Sequence, residues 1–417
     1  MLISCGDDED LKPITTDKKI LIIGAGIARL AAANYFKDRG ITVMVIEAQA
    51  KVGGRLCTDR SLGIPFDEGA SWIDGPDGNP ITSLANSAGT NTFLTDDDNL
   101  SVFDIDGSEY TDDMLTVAEE AFDDAVESID GGINESFMTA FLAEYPQYQN
   151  NRLWKYMLSV FLEFDVGGDI SKLSSLDFYD DEAYNGEDVI VTNGYDTITD
   201  FLAEGIDVRL NVKVNEIDYS GETIQVTTNQ DDFIADYVLV TVPLGVLKEE
   251  VISFTPALPS RLQSPIDKLE MGAINKFLCV WDTPFWDTDL QYIGYTPETK
   301  GKFNYFINVG KFTTANALMA FAFGDYSKST EDMSDTEVID EIMGHLKSIY
   351  GDNIPNPTSF LRTKWGLMSS LSVLILLRRM ARGVLTLKLL KKRSMTRCFL
   401  VGNIRVRIIE ERFMGLI

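Results

Sequence analysis

Lys18 to Glu47 reads KKILIIGAGIARLAAANYFKDRGITVMVIE, and its order of elements decides the fold. Lys18 to Gly24 is an apolar run entering a glycine turn, Ile27 to Arg39 has a helical pattern ending at Gly40, and Ile41 to Glu47 is a second buried strand. Such a βαβ opening crosses over right-handed, which implies a parallel sheet with helices on both faces. Gly24 and Gly26 allow backbone N–H groups and a helix N-terminus to approach a pyrophosphate closely. Glu47 follows Gly26 by 21 residues, where a carboxylate can accept both hydroxyls of an adenosine ribose. The third glycine of this fingerprint is replaced by Arg29. That glycine ordinarily lets helix and strand pack closely, so Arg29 is expected either to turn outward at a packing cost or to mark a damaged site.

Downstream, Gly53-Gly54-Arg55 offers a backbone nest and a guanidinium that can pair with phosphate. Phe66 to Ile73 (FDEGASWI) reads as a strand entering a turn. Asn79 to Phe164 is patterned mostly as helix, and the acids of Asp112 to Asp130 are most simply a solvated face. Short alternating runs at Asp207–Leu210, Val212–Tyr219, Thr223–Thr228 and Ala235–Val242 bring strands back, and a second strand-rich block runs from Met271 to Phe323. Two lobes that interleave along the chain account for this order.

Composition narrows the chemistry. A chain of 417 residues, 45% hydrophobic, can bury a large core, and its length suggests two or three domains. The net charge of −29 is the opposite of what a phosphate backbone selects, which argues against nucleic acid as a partner. Cys5, Cys57, Cys279 and Cys398 form no C-x-x-C pair, and His345 is the single histidine, so neither a zinc site nor a disulfide framework is supported. His345 sits in an amphipathic helical pattern, EVIDEIMGHLKSIYG, and is read as structural. No apolar run is long enough to span a bilayer. Leu2-Ile3-Ser4-Cys5 is similar to a bacterial lipoprotein cleavage box without its preceding apolar segment, so the expectation is an envelope lipoprotein anchored through Cys5, with a cytoplasmic location as the alternative.

The motifs GAGIARLAAA, Glu47, VGGR, DEGASWIDG, NGYDTITDFLA, VTVPLGVL and MGAINKFLCVWDTPFW stand in the order and spacing of the FAD-dependent amine oxidases, the monoamine and polyamine oxidase family, and the resemblance covers Lys18 to Gly366. It implies an α/β fold: a Rossmann-like FAD-binding domain interleaved with an α+β substrate domain. The expected segments are an acidic tail at 1–17, FAD-binding parts at 18–78 and 187–258, substrate-lobe parts at 79–186 and 259–366, and an aberrant tail at 367–417. The resemblance places Gly24, Gly26, Glu47, Gly53, Gly54 and Arg55 at the ADP and ribityl parts of FAD, Gly69, Ala70 and Trp72 beside the cofactor, Val214 at the adenine and Pro243 at the return to the FAD lobe.

On strand alternation, Ile274, Lys276, Leu278 and Val280 share one face, and a lysine among aliphatics loses hydration, which lowers its pKa and suits it to proton handling. Lys276 also matches the family lysine that holds a water near flavin N5. Trp281, Phe285 and Trp286 are candidates for the wall of an amine site or for core. The implied reaction is hydride removal from the carbon beside an uncharged amine nitrogen to flavin N5, hydrolysis of the resulting imine, and reoxidation by O2 to peroxide, with a small-molecule amine as substrate. Rival readings are a carotenoid desaturase, protoporphyrinogen oxidase or L-amino acid oxidase of the same superfamily, and a non-catalytic envelope relic. Chromatin demethylation is disfavoured because no long coiled insertion interrupts the substrate-lobe pattern.

After Trp365-Gly366 the composition changes. Leu367 to Ile417 carries 11 Lys and Arg against two Glu, whereas the residues before it carry 25 basic and 63 acidic. Reading codons one base earlier, Phe399 to Ile417 can encode FFGGEYTSTDYRGTVHGAY, and the stretch after Gly366 can encode DEF and then GSYS, both similar to the family's C-terminus. A frameshift near Gly366-Leu367 is therefore expected, with a tail that neither completes the FAD lobe nor builds the aromatic cage, and with Leu371 to Leu377 as an aggregation hazard.

Overall fold

The computed structural model describes residues 16–129, 135–176 and 184–366, together with the backbone of two short strands at Leu376–Leu377 and Cys398–Leu400. The opening segment forms β1 (Lys19–Ile23), α1 (Ile27–Asp38) and β2 (Thr42–Ile46). β1 pairs in parallel with β2 on one side and with Tyr237–Val240 on the other. Val208–Arg209 extends the sheet beyond β2, giving the order Cys398–Leu400, Tyr237–Val240, β1, β2, Val208–Arg209.

Alternation along β1 builds both faces. Ile20 and Ile22 pack against Leu30, Ala33 and Phe36 of α1, while Leu21 and Ile23 meet Val214, Ile217, Ile224 and Val226 of a four-stranded sheet on the other side. A strand buried on both sides must be apolar throughout, which is why KILII carries no polar residue after its first. Phe36 is wholly buried, and its truncation to Ala is expected to cost about 3–5 kcal/mol.

The second large sheet has the order Ser359–Arg362, Asn275–Val280, Ala317–Ala322, Tyr305–Asn308, Tyr292–Tyr295, Leu100–Phe103. It is antiparallel except at its last pair. One face carries Ile274, Leu278, Ile307 and Phe321 against Phe122, Phe137, Phe141 and Trp154 of the helical segments. The opposite face carries Phe277, Cys279, Phe306 and Ala320 against Val338, Ile342 and Leu346 of helix Asp335–Tyr350. Ser334 caps that helix reciprocally with Glu337, satisfying two end N–H groups.

Two strands, Thr92–Leu94 and Leu100–Phe103, lie inside the stretch read as mostly helical. Their partners, Val189–Val191 and Tyr292–Tyr295, are remote in sequence, so short-range periodicity carried little sign of them. Helix Asp112–Ile129 behaves as its charge pattern indicated, burying Phe122, Ala125, Val126 and Ile129. His345 has a structural setting: its ring stacks on Tyr295 at 4.3 Å and Nδ1 lies 3.1 Å from the Phe303 carbonyl. Burial pulls its imidazole down to about 4.

The tail, expected not to complete the FAD lobe, nevertheless adds a short edge strand to its sheet. Cys398–Leu400 pairs in parallel with Val238–Val240, and Leu376–Leu377 pairs with Glu270–Met271. Short apolar runs suit a sheet edge whatever frame encodes them. Cys5 and the rest of 367–417 lie outside the described residues.

Candidate active site

Three glycines and the N-terminus of α1 form a hollow at the end of β1. Gly24 has φ +103° and its N–H donates to the Ile46 carbonyl. Gly26 caps α1 and bridges in parallel to Gly53, whose N–H donates to the Ala25 carbonyl. Gly53 has φ +111°, and a Cβ there would come within 2.2 Å of the Leu56 carbonyl oxygen, so only glycine fits. Glu47 is buried at the end of β2, its carboxylate accepting from Ala25 N–H at 2.7 Å and Gln49 N–H at 2.8 Å. Its carbonyl accepts from Val212 N–H, which brings buried Val214 to the same end of the sheet. Pro243 caps helix Leu244–Lys248, two residues after Thr241.

Arg29 neither turns outward nor leaves the hollow open. Its side chain curls back beneath the glycine turn and Nε donates to Thr241 Oγ1 at 2.5 Å. A Cβ added to Gly24 would lie 2.9 Å from Nε, one added to Gly26 only 2.4 Å from Nη1, and one added to Gly54 3.7 Å from Nη1. The glycines therefore accommodate the arginine, and the polar Thr241 gives its inward path an anchor. Burial pulls the guanidinium down to about 10, opposed by Glu47 and reinforced by the charge of Arg55. Burial also lowers Arg55.

Lys276 is the second cation held away from water. It lies on strand Asn275–Val280, 3% exposed, on the face shared with Ile274 and Leu278. Nζ donates to the Asp67 carbonyl at 3.0 Å, the Gly69 carbonyl at 2.5 Å and Ser71 Oγ at 2.7 Å. All three ammonium protons are thus taken by the turn 67–71. Burial pulls Lys276 down to about 8, with Asp67 and Glu68 opposing. The turn is pinned from its other side as well: Ala70 N–H donates to the Arg55 carbonyl at 3.3 Å, and a Cβ on Gly69 would overlap that same carbonyl at 1.7 Å. Lys276 and Arg55 thereby clasp one segment between the two lobes.

The wall beside Lys276 comes from residues that the sequence reading did not gather. Cross-strand partners on one face run Lys276, Phe321, Tyr305, Gly294. Lys276 Nζ sits 5.7 Å from the Trp72 ring centre, and Phe164 packs edge-on to Trp72 at 5.8 Å and against Phe321 at 5.3 Å. The gap left by Gly294 is filled by Tyr156, whose hydroxyl would touch any Cβ placed there. Strand register was the signal needed to find Phe321 and Tyr305, while Phe164 and Tyr156 come from helical segments. Trp281, Phe285 and Trp286, in contrast, belong to the core on the opposite face, with Trp281 Nε1 bonded to the Pro355 carbonyl. Odd-numbered positions of this strand point away from Lys276.

Carboxylates follow the wall residues in sequence: Asp74 comes after Trp72 and Asp165 after Phe164. Asp74 is solvent-exposed, yet partial burial and the charges of Asp188 and Asp165 raise it to about 6. Deeper in, Glu163 ends a π-helical turn with no exposure, and burial raises it to about 7 despite its ion pair with Lys300. Among the described residues, no cluster of His, Cys, Asp and Glu is arranged to hold a metal.

The donor set suits an adenosine diphosphate: a buried carboxylate for ribose, glycine backbone and Arg55 for phosphate. The one departure is Arg29, which fills the glycine hollow. The family described as flavin containing amine oxidoreductase matches residues 27–373. Polyamine oxidase 4 of Oryza sativa subsp. japonica is 32% identical over 372 residues, covering 83% of this chain and 76% of that protein. Polyamine oxidase 2 of Arabidopsis thaliana is 30% identical over 376 residues, covering 84% and 76%. A redesigned double mutant of putrescine oxidase superposes with a TM-score of 0.72 at 21% identity, covering 92% of this chain and 93% of that one, a likeness of fold.

Proposed function

The chain belongs to the flavin-containing amine oxidoreductase family, whose cofactor is FAD, and from that membership we propose that it oxidises a cationic di- or polyamine at a carbon beside nitrogen. When bound, the flavin supplies the hydride acceptor and passes electrons to O2. The chain's part is to orient the amine and exclude water: Trp72, Phe164, Phe321 and Tyr305 supply an apolar wall. Lys276 is assigned as the catalytic residue that handles a proton; its burial among the wall aromatics supports this. The observation carrying the substrate class is that Asp74, two residues after Trp72, and Asp165, next to Phe164, act on each other electrostatically together with Asp188, a concentration of negative charge that attracts cationic amines and repels amino acid carboxylates. The names of the polyamine oxidase relatives point the same way. The test is peroxide production by the FAD-loaded chain over diamines, polyamines, monoamines and amino acids. Diamine or polyamine turnover is expected; peroxide from amino acids alone would sink the reading.

We further propose that residues after Gly366 are read out of frame and that this curtails activity. The abrupt reversal of charge and the recoverable motifs support it. A one-base-corrected chain is expected to bind more flavin, seen in its visible spectrum, and a coding sequence open in one frame with equal flavin content would refute the idea. Attachment of the chain to an envelope membrane through Cys5 is proposed on Leu2-Ile3-Ser4-Cys5 and is tested by labelling with a radioactive fatty acid.

A further inference from the structure

We infer that Arg29 is a diphosphate-binding residue of this chain: the guanidinium lodged among Gly24, Gly26 and Gly54 is a cation that pairs with the phosphates of the cofactor's ADP moiety. The inference rests on the FAD reading above and adds a specific ligand to it.

The geometry narrows the choices. A phosphate entering the glycine hollow meets Arg29 at contact distance, because Nη1 already stands 2.4 Å from where a Gly26 Cβ would be. Guanidinium and phosphate must then either share the hollow or exclude each other. Charge decides for sharing. Arg29, Arg55 and the N-terminus of α1 bring positive charge to one spot. Glu47, the carboxylate that acts electrostatically on Arg29, already accepts from Ala25 and Gln49. Among the described residues, Thr241 is the single acceptor of an Arg29 hydrogen bond, made through Nε, whereas a guanidinium has five N–H donors in a fork matched to phosphate oxygens. Glu47 offsets part of the repulsion between Arg29 and Arg55, and an anion placed between the two guanidinium groups would relieve it further. An arginine retained merely as packing would be expected to spend its donors on carbonyls, as Arg362 does with Thr330 and Met333.

The test is calorimetric titration of the flavin-free full chain with ADP and with adenosine, at low and high salt, for the wild type, Arg29→Ala and Arg29→Lys. Arg29→Ala is expected to weaken ADP binding about tenfold or more, as for loss of one charge-assisted pair, to leave adenosine binding unchanged and to flatten the salt dependence. Arg29→Lys, which keeps the charge and loses the fork, is expected to fall between and guards against a folding defect in the alanine variant. Equal or tighter ADP binding by Arg29→Ala overturns the inference and marks Arg29 as a plug. FAD capture by the wild type, read from quenched flavin fluorescence, keeps the cofactor reading intact in that event. A wild type that binds neither ADP nor FAD overturns both.

Discussion

Lys276 and Arg29 are both withdrawn from water, and they are provided for unequally. Lys276 has a backbone carbonyl, a second carbonyl and a hydroxyl within hydrogen-bond reach, one acceptor for each proton. Among the described residues, Arg29 has one threonine hydroxyl for five donors. Taking an unpaired charge out of water is expensive, so the three acceptors hold Lys276 Nζ in place beside the aromatic wall, whereas the remaining donors of Arg29 are those the proposed diphosphate contact would use. Lys276 thereby does two things: it clasps the turn 67–71 to the second sheet, and it brings a lysine to the aromatic wall.

The sharpest way to break this contrast is Lys276→Met. The anaerobic reduction of bound flavin by a diamine is expected to slow by about 10²–10⁴-fold, the usual range for a lost proton-transfer group. Stability in urea is expected to fall by about 1–3 kcal/mol, because the carbonyls of Asp67 and Gly69 lose their donor. Reduction at the wild-type rate with lowered stability would reduce Lys276 to a clasp.

Asp74→Asn probes the rim of the same wall and should raise KM for a cationic diamine about tenfold. In the wild type, KM should rise as pH falls through about 6, where Asp74 gains a proton and its attraction is lost; solvent at this exposed position places the transition at or below that value. The variant should lack that transition, and a KM that is flat with pH in the wild type would remove Asp74 from substrate attraction.

His345 supplies a smaller effect from the far face. Its folded ring titrates near 4 because burial disfavours the charge, while an unfolded one titrates near 6.5. Below about 6.5 the unfolded chain takes up a proton that the folded ring refuses, so stability is lost as pH falls from about 6.5 toward 4, by about 1–3 kcal/mol after allowance for partial exposure. His345→Gln should flatten that part of the pH–stability curve, as followed by thermal melts; an unchanged slope would place the dependence elsewhere. The smallest effect belongs to Trp286→Phe, which should leave KM unchanged, since Trp286 packs with Trp281 and Phe285 away from Lys276. A shifted KM would show that the opposite face reaches the substrate.

How much was legible depended on sequence distance. Gly24, Gly26 and Glu47 lie within one βαβ unit, so spacing alone locates them; strand alternation puts Lys276 on an aliphatic face, and the family resemblance singles it out for function. Phe164, Tyr305 and Phe321 carry no such local signal: strand register sets Tyr305 and Phe321 beside the lysine, and helix packing brings Phe164 onto Trp72 and Phe321. For Trp281 and Trp286 the sequence leaves wall and core both open, and the structure decides for core on the face opposite Lys276.

By itself the sequence determined the βαβ opening, the glycine turn, the acid at its end and the burial of the lysine, since these follow from local patterning over a few residues. Only the tertiary structure decided the direction of Arg29, the company of Lys276 and the makeup of the aromatic wall. Those outcomes depend on which distant segments meet, and a side chain such as arginine goes where a hydroxyl, an empty glycine flank and a field of charge together leave it room.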